Sequence, residues 1–418
     1  MAPALPHATL AILGARLVCP AQQLDEPGTL VVEDGIITGA GGDVVPPADA
    51  VIIDGEGLVL CPGLIDARVF RADPAAAAKG GITTLCLMPD QRLTLDDPAL
   101  VERAVRLDDG RVRVLPLAAA TKGLAGSEMG EIGLCKAAGA VGVATGRAGI
   151  ASALVMSRVL TYATGLGLPV IAHAEDASLT DGTVATESEF ATRLGLPASP
   201  AYAEALMVAR DIRLAEAAGA RLHIAQATTA ESLDLIRQAK QRGVAVTCGI
   251  TPNHLLLNEI SIGAWRSFAR LSPPLRSEAD RLAVVAAVRD GTIDIIASGH
   301  DPLTAEDKRL PYAQATPGAV GLETLLPLAL TLVHNGAMTL LDLLALLTAN
   351  PASLFGLPTG SLLPGTPADL VLLDPDAPWR ISDASLTSQA KNTPFDGQPT
   401  AGRVVMTWRA GRPVFAAT

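Results

Sequence analysis

SPAYAEALMVARDIRLAEAAGARLHIAQ, residues 199–226, changes its period partway along. Its first twenty residues place Ala, Leu, Met, Val and Ile at helical spacing and stop at Gly219, and a short apolar run, RLHIAQ, follows. The same alternation extends in both directions. Upstream, ALVMSRVLTYATGLG (153–167) precedes PVIAHA (169–174); downstream, AESLDLIRQAKQRG (230–243) precedes VAVTCGI (244–250). Further apolar runs are LIDARVF (64–70), ITTLCLM (82–88), VRVLPLA (112–118), AVGVA (140–144) and IDIIASG (293–299). Apolar runs separated by helices mean parallel strands with crossover helices. Eight of them predict a closed α/β barrel of the (β/α)8 TIM type, with an open doubly wound sheet as the other arrangement.

The two ends have a different texture. LAILGARLVCP, GTLVVEDGIITGAG and DAVIIDGEGLVLCPG near the start, and ADLVLLDPDAPW and GRVVMTWRAGRPVF near the end, read as strands broken at glycines. We expect a small composite β-sandwich domain from residues 1–58 and 358–418, flanking a barrel at 59–357.

Composition narrows the function classes. The 418 residues carry 32 Lys and Arg against 43 Asp and Glu, a net charge of −11, which is not the electrostatic footprint of a nucleic-acid binder. No apolar stretch is long enough for a membrane span. MAPALPHATLAIL has no Lys or Arg before its apolar part and is a poor signal peptide. Five scattered cysteines without CxxC spacing predict reduced thiols and a cytoplasmic protein.

In such a barrel the chemistry sits at the C-terminal ends of the strands. The polar groups there are Arg68, Asp90, Thr121 and Lys122, Thr145, His173, Glu175, Asp176, Gln226, Thr251, Asn253, His254, His300 and Asp301, with Phe70 beside Arg68. A catalytic zinc needs about three His or carboxylate ligands and an open position, and only His173 and the His300–Asp301 pair are natural ligand types at strand ends. Each has a structural alternative. His173 can be a satisfied polar residue, Glu175 and Asp176 can cap the next helix, and His300-Asp301-Pro302 can be a turn with local hydrogen bonds. No nucleophile elbow, P-loop or dinucleotide fingerprint is present, and Gly146 and Gly149 read as turn glycines.

PGLIDARVF, GITTLCLMPD, AHAED, TPNHLLL, LSPPLRSEAD, ASGHDPLTAEDK, GLETLLPLAL, NPASLFGL and KNTPFDG together resemble dihydroorotase, a cyclic amidohydrolase of the amidohydrolase superfamily. The resemblance runs in order from about residue 8 to 415. It implies a binuclear zinc barrel that opens or closes an amide ring with metal-bound hydroxide and an Asp base. Several implied positions depart from that pattern. Arg68 and Phe70 stand where a His-x-His pair is expected, and Ala72, next to Arg71, where an Arg holds the substrate carboxylate. Asp90 replaces an Asn, and Thr145 or Gly146 the bridging carboxylate. Gln226 replaces a metal-binding His, Ser272 a pocket Asn, Gly299 the catalytic Asp and Leu303 a pocket His; His173 is retained. Asp301, two residues past Gly299, reaches the site only if its loop is remodelled.

These departures predict a non-catalytic homologue with no cofactor. Arg68, Phe70, Asp90, His173, Gln226, His254, Gly299, His300 and Asp301 would then line a vestigial pocket without bound metal. By resemblance the chain would be a scaffold subunit for aspartate transcarbamoylase in pyrimidine biosynthesis, and a homo-oligomer. The alternative is a divergent dihydroorotase-like enzyme with a reduced site at His173, His300 and Asp301. A third reading is a sensor that binds a polar ring at Arg68, Asp90 and Gln226. Arg68 brings a permanent charge to the former cation position. Unit charges at ~4 Å interact by about 4 kcal/mol at an effective dielectric near 20. Arg68 is therefore expected to pair with Asp90 or Asp301.

Overall fold

A computed structural model describes residues 9–417. Most of the segment considered above as a leader lies outside them. Eight parallel strands form the barrel: Leu64–Val69, Ile82–Leu87, Arg113–Pro116 continued by Ala118–Ala119, Val143–Ala144, Val170–Ala172, Leu222–Ile224, Val246–Ile250 and Ile295–Ile296. Each falls on one of the eight apolar runs. Closure comes from a parallel bridge between Val69 and His300, where the Phe70 amide donates to the His300 carbonyl at 2.9 Å. Most of these strands are buried along their whole length, the exceptions being Arg113–Pro116 and Val246–Ile250, so they read as continuous apolar runs and not as alternations. Outer helices such as Ala153–Gly165, Tyr202–Ala218 and Ala230–Gln241 pack Val159, Leu160, Val208, Ile212, Leu233 and Ile236 onto them.

Both termini build one eight-stranded sheet. Leu10–Cys19, Leu24–Glu33, Ile36–Gly41, Val51–Asp54 and Val59–Pro62 come from the N-terminal side; Leu370–Arg380, Pro399–Arg409 and Arg412–Ala416 come from the C-terminal side. The halves join where Val59–Pro62 runs antiparallel to Leu370–Leu373. Ile12, Leu17, Leu30, Leu60, Leu372 and Trp408 fill this second core. The five cysteines are free and buried. Among the described residues no helix is long and apolar enough to cross a membrane.

Long loops cover the barrel mouth. Val184, Ala185, Ala191, Ile262 and Tyr312, from three of them, share a small apolar cluster. Residues 302–316 contain a helix, Ala305–Arg309, closed at its start by a Thr304–Asp307 capping box. Lys308 fixes that loop, donating to the carbonyls of Ser267, Arg270 and Thr316 at 3.1, 3.2 and 2.8 Å. Asn392, in the KNTPFDG segment, clamps the eighth strand's loop. It donates to the carbonyls of Asp301 (3.0 Å) and Gly318 (3.2 Å) and accepts from the Leu303 amide (3.1 Å).

Candidate active site

The mouth narrows to a recess lined by Arg68, Phe70, Arg147, Gln226, Thr251, Asn253, His254, Gly299, Asp301 and Gly318, among others. Its cavity volume is small, about 30 Å³. Six of the nine residues singled out from the sequence meet here: Arg68, Phe70, Gln226, His254, Gly299 and Asp301. Asp90, His173 and His300 do not line it.

Arg68 ends the first strand and is 5% exposed. Its Nε is buried with no hydrogen-bond partner, and among the described residues its guanidinium has no carboxylate oxygen within 4.0 Å. Its charge-bearing carbon lies 4.8 Å from the centre of the Phe70 ring. Burial lowers its pKa to about 10; Arg147 pushes the same way, and Asp90, Asp301 and Asp66 push back. The expected pairing of Arg68 with Asp90 or Asp301 does not form, because Arg147 takes both carboxylates. Arg147 Nη1 lies 2.5 Å from Asp301 Oδ2 and its Nε 3.9 Å from Asp90 Oδ1. Its backbone amide donates to Asp90 Oδ1 at 2.9 Å, and its guanidinium stacks on Phe70 at 3.8 Å. Gly146 makes this possible: φ is +85°, and a Cβ there would stand 2.8 Å from Asp90 Oδ1. Burial raises the Asp90 pKa against the opposing pull of Arg147 and Arg68.

A polar chain closes the other wall. Gln226 Nε2 donates to Thr251 Oγ1 at 3.4 Å, and Thr251 Oγ1 meets His254 Nδ1 at 2.9 Å. His254 Nε2 faces the Pro273 carbonyl at 3.1 Å. A carbonyl only accepts, so this network assigns the proton to Nε2 and makes Nδ1 the acceptor for the Thr251 hydroxyl. Burial lowers the His254 pKa to about 4, so the ring is neutral at pH 7. Gln226 Oε1 is buried without a partner.

The remaining candidates are occupied elsewhere. His173 Nε2 lies 2.8 Å from Glu175 Oε2, and the His173 amide donates to Thr145 Oγ1 at 2.9 Å. Burial pushes the Glu175 carboxyl up, but the bond to His173 and the charges of His173 and Arg276 outweigh it and leave it below its ordinary value. Asp176 caps the helix Ala177–Thr180 through the Ser178 amide, as the structural alternative had it. His300 is fully buried; its Nδ1 accepts from the Gly321 amide at 3.2 Å, its Nε2 has no partner, and burial lowers its pKa to about 4. Gly299 has φ +61°, and a Cβ there would lie 3.5 Å from Arg68 Nη1.

Two features escaped the sequence reading. Arg147 follows a glycine at the end of the fourth strand, and only its place one residue past Gly146 could have drawn notice. The second is a buried network. Glu204 accepts from the Thr228 and Thr229 amides at 2.8 and 3.1 Å, and Arg276 reaches Glu204 at 3.3 Å and Glu175 at 3.7 Å. It ties the helix Tyr202–Ala218 to the loop that follows Gln226.

With this geometry in place, comparisons give the lineage. The amidohydrolase family model matches residues 67–414. The chain belongs to the amidohydrolase family. It is 40% identical to the dihydroorotase of Desulforapulum autotrophicum, over 96% of this chain and 98% of that one. It is 38% identical to the dihydroorotase of Anaeromyxobacter dehalogenans, over 97% of each. Among solved structures, the L-hydantoinase (dihydropyrimidinase) of Arthrobacter aurescens superposes with a TM-score of 0.87 at 25% identity, over 97% of this chain and 96% of that one. The barrel with its terminal β domain is therefore the fold of this amidohydrolase family.

These findings correct two expectations. Full-length amidohydrolase relatives at 37–40% identity are dihydroorotases, which overturns the non-catalytic scaffold in favour of an enzyme of divergent site. The expectation of a chain without a cofactor falls with it, because dihydroorotase and hydantoinase relatives place the chain among metal-dependent amidohydrolases. The residues at the strand ends nonetheless do not fit the binuclear cage. Among the described residues no three His, Cys, Asp or Glu side chains converge as ligands, and His173, His300 and Asp301 do not meet.

Proposed function

We propose that this chain is a divergent cyclic amidohydrolase of the dihydroorotase type, acting at the barrel mouth on a ring amide that carries a carboxylate, or on its opened carbamoyl amino acid. The observation that carries the reading is Asp301. The position implied for the catalytic carboxylate is Gly299, yet Asp301 reaches the recess and is the one carboxylate among its described lining residues. In the family, a bound metal supplies the hydroxide that attacks the ring carbonyl. Among the described residues of this chain the ligand set does not fit that metal.

The chain's own residues bind and move a proton. Arg147 is 40% exposed at its side chain and lines the recess, so an entering substrate displaces its guanidinium from Asp301. Release frees Asp301 to take a proton from the water that attacks the ring carbonyl and to give it to the ring nitrogen as the C–N bond breaks. Neutral His254, fixed by Thr251 and the Pro273 carbonyl, holds the wall that carries Gln226. The test is turnover of dihydroorotate and of carbamoyl aspartate, each with and without added divalent metal. Turnover lost in Asp301→Asn supports the reading; no turnover in either direction under any of these conditions overturns it. An association with aspartate transcarbamoylase is proposed from the resemblance alone, and co-elution on size exclusion checks it.

A further inference from the structure

Arg68 is a buried cation that this molecule leaves unanswered. Burying a guanidinium is costly, and proteins normally compensate it with a carboxylate and hydrogen bonds. Of the three carboxylates that act on Arg68, Arg147 engages Asp90 and Asp301, and Asp66 accepts from the Arg68 and Ser298 amides; none has an oxygen within 4.0 Å of the guanidinium, which lies 4.8 Å from the Phe70 ring centre. Position 299 carries no side chain; a Cβ there would stand 3.5 Å from Nη1 and 3.0 Å from Thr251 Cγ2. Across the recess Gln226 Oε1 is also buried and unpartnered. The recess itself is small, about 30 Å³. Arg68 and Gln226 both line this recess, and each has a buried polar atom without a partner, the donor Nε and the acceptor Oε1.

We propose that Arg68 is the carboxylate-binding residue of this site: the substrate's carboxylate enters the recess and is held by the guanidinium fork, with the ring above it, where Arg147 now lies. An ionised carboxylate and a planar guanidinium form two parallel charge-assisted hydrogen bonds, the strongest pairing the recess can offer. A ring N–H or a carboxyl-bound water supplies the donor that Gln226 Oε1 lacks. The position implied by resemblance for a carboxylate-holding Arg is Ala72 here, so the anchor has moved from the loop to the strand end. This inference rests on the proposed function for the identity of the ring but not for recognition of its carboxylate.

The test is binding without turnover, measured by calorimetry on the full chain. Orotate is the ring with its carboxylate, uracil the ring without it, and formate the carboxylate without a ring. Orotate is expected to bind, uracil to bind at least tenfold more weakly, and millimolar formate to compete with orotate. Arg68→Met is expected to weaken orotate by about tenfold to a hundredfold, and Arg68→Lys to restore only part of that loss. Unliganded Arg68→Met should melt no lower than the parent, since it removes an unpaired buried charge. Orotate affinity unchanged in Arg68→Met, uracil binding equal to orotate, formate that fails to compete, or no orotate binding by the parent would each overturn the proposal. Arg68-dependent orotate binding in a chain that never turns over dihydroorotate would refute the catalytic reading alone.

Discussion

Arg147 Nη1 stands 2.5 Å from Asp301 Oδ2, while Arg68, on the same Phe70 ring, has no carboxylate oxygen within 4.0 Å. Two arginines share one aromatic platform, and one of them holds the carboxylates. The bridge is a roof that can open, because Arg147 is partly in solvent. The unpaired partner is a floor that waits for an anion.

The strength of that roof can be measured by a double-mutant cycle of Arg147→Ala and Asp301→Asn. Asp301 is buried but Arg147 is 40% exposed, so solvent screens the pair. A coupling of about 1 kcal/mol is expected, falling as salt is raised. A salt-insensitive coupling of several kcal/mol would mean that the bridge is a locked structural element and not a gate.

Asp66 gives a pH signature. Burial lifts its pKa from 3.8 to about 6, against hydrogen bonds from Ser298 and the Arg68 amide. A raised folded value means that the native state binds more protons between these two values, so stability falls as pH rises through that window. Asp66→Asn keeps an acceptor for the Ser298 and Arg68 amides and removes the buried charge. It should raise the melting temperature at pH 8, by an amount equivalent to at most about 3 kcal/mol, and change little near pH 4. Melts at the two pH values check this; equal effects at both would contradict it.

Glu204 is fully buried and serves four donors on Thr228 and Thr229 besides Arg276. Glu204→Gln leaves Arg276 with a weaker partner and mismatches an amide donor among donors. A loss of about 3 kcal/mol in denaturant unfolding is expected, the range for breaking a buried ion pair. A loss below about 1 kcal/mol would show that the network does not hold the sixth strand's loop.

Gly299→Asp places a carboxylate beside Arg68 Nη1. Asp tolerates a left-handed backbone better than most residues, though Thr251 Cγ2, 3.0 Å from the added Cβ, must give by a few tenths of an ångström. The new side chain should occupy the recess and weaken orotate binding at least tenfold. Undiminished binding would place the anion elsewhere.

The barrel was legible because most of its strands are buried throughout, as Leu64–Val69 and Ile295–Ile296 are, so LIDARVF and IDIIASG read as central strands between helices. The terminal sheet was legible for a related reason: its strands break at glycines and return at both ends. The site was legible in part. Strand-end positions of Arg68, Gln226 and Asp301 follow from the period, and these three do meet. What they touch does not follow from period or spacing. Arg147 projects from a loop across to the eighth strand, 154 residues further along the chain, and no local signal foretells that bond. His173 stands out in the sequence as the one retained match to a metal-binding position; spacing does not show that Glu175, two residues on, turns back to it at 2.8 Å. Reading lost ligands as lost catalysis went too far: full-length relatives at 37–40% identity are dihydroorotases, and Asp301, weighed from the sequence only as a single group on a remodelled loop, does line the recess.

The most direct measurement is the rate of dihydroorotate ring opening by the purified chain across a series of divalent metals, with Asp301→Asn beside it. We predict turnover by the parent chain that falls at least a hundredfold in the variant. A parent chain inert in both directions, or a variant as fast as its parent, would contradict the assignment.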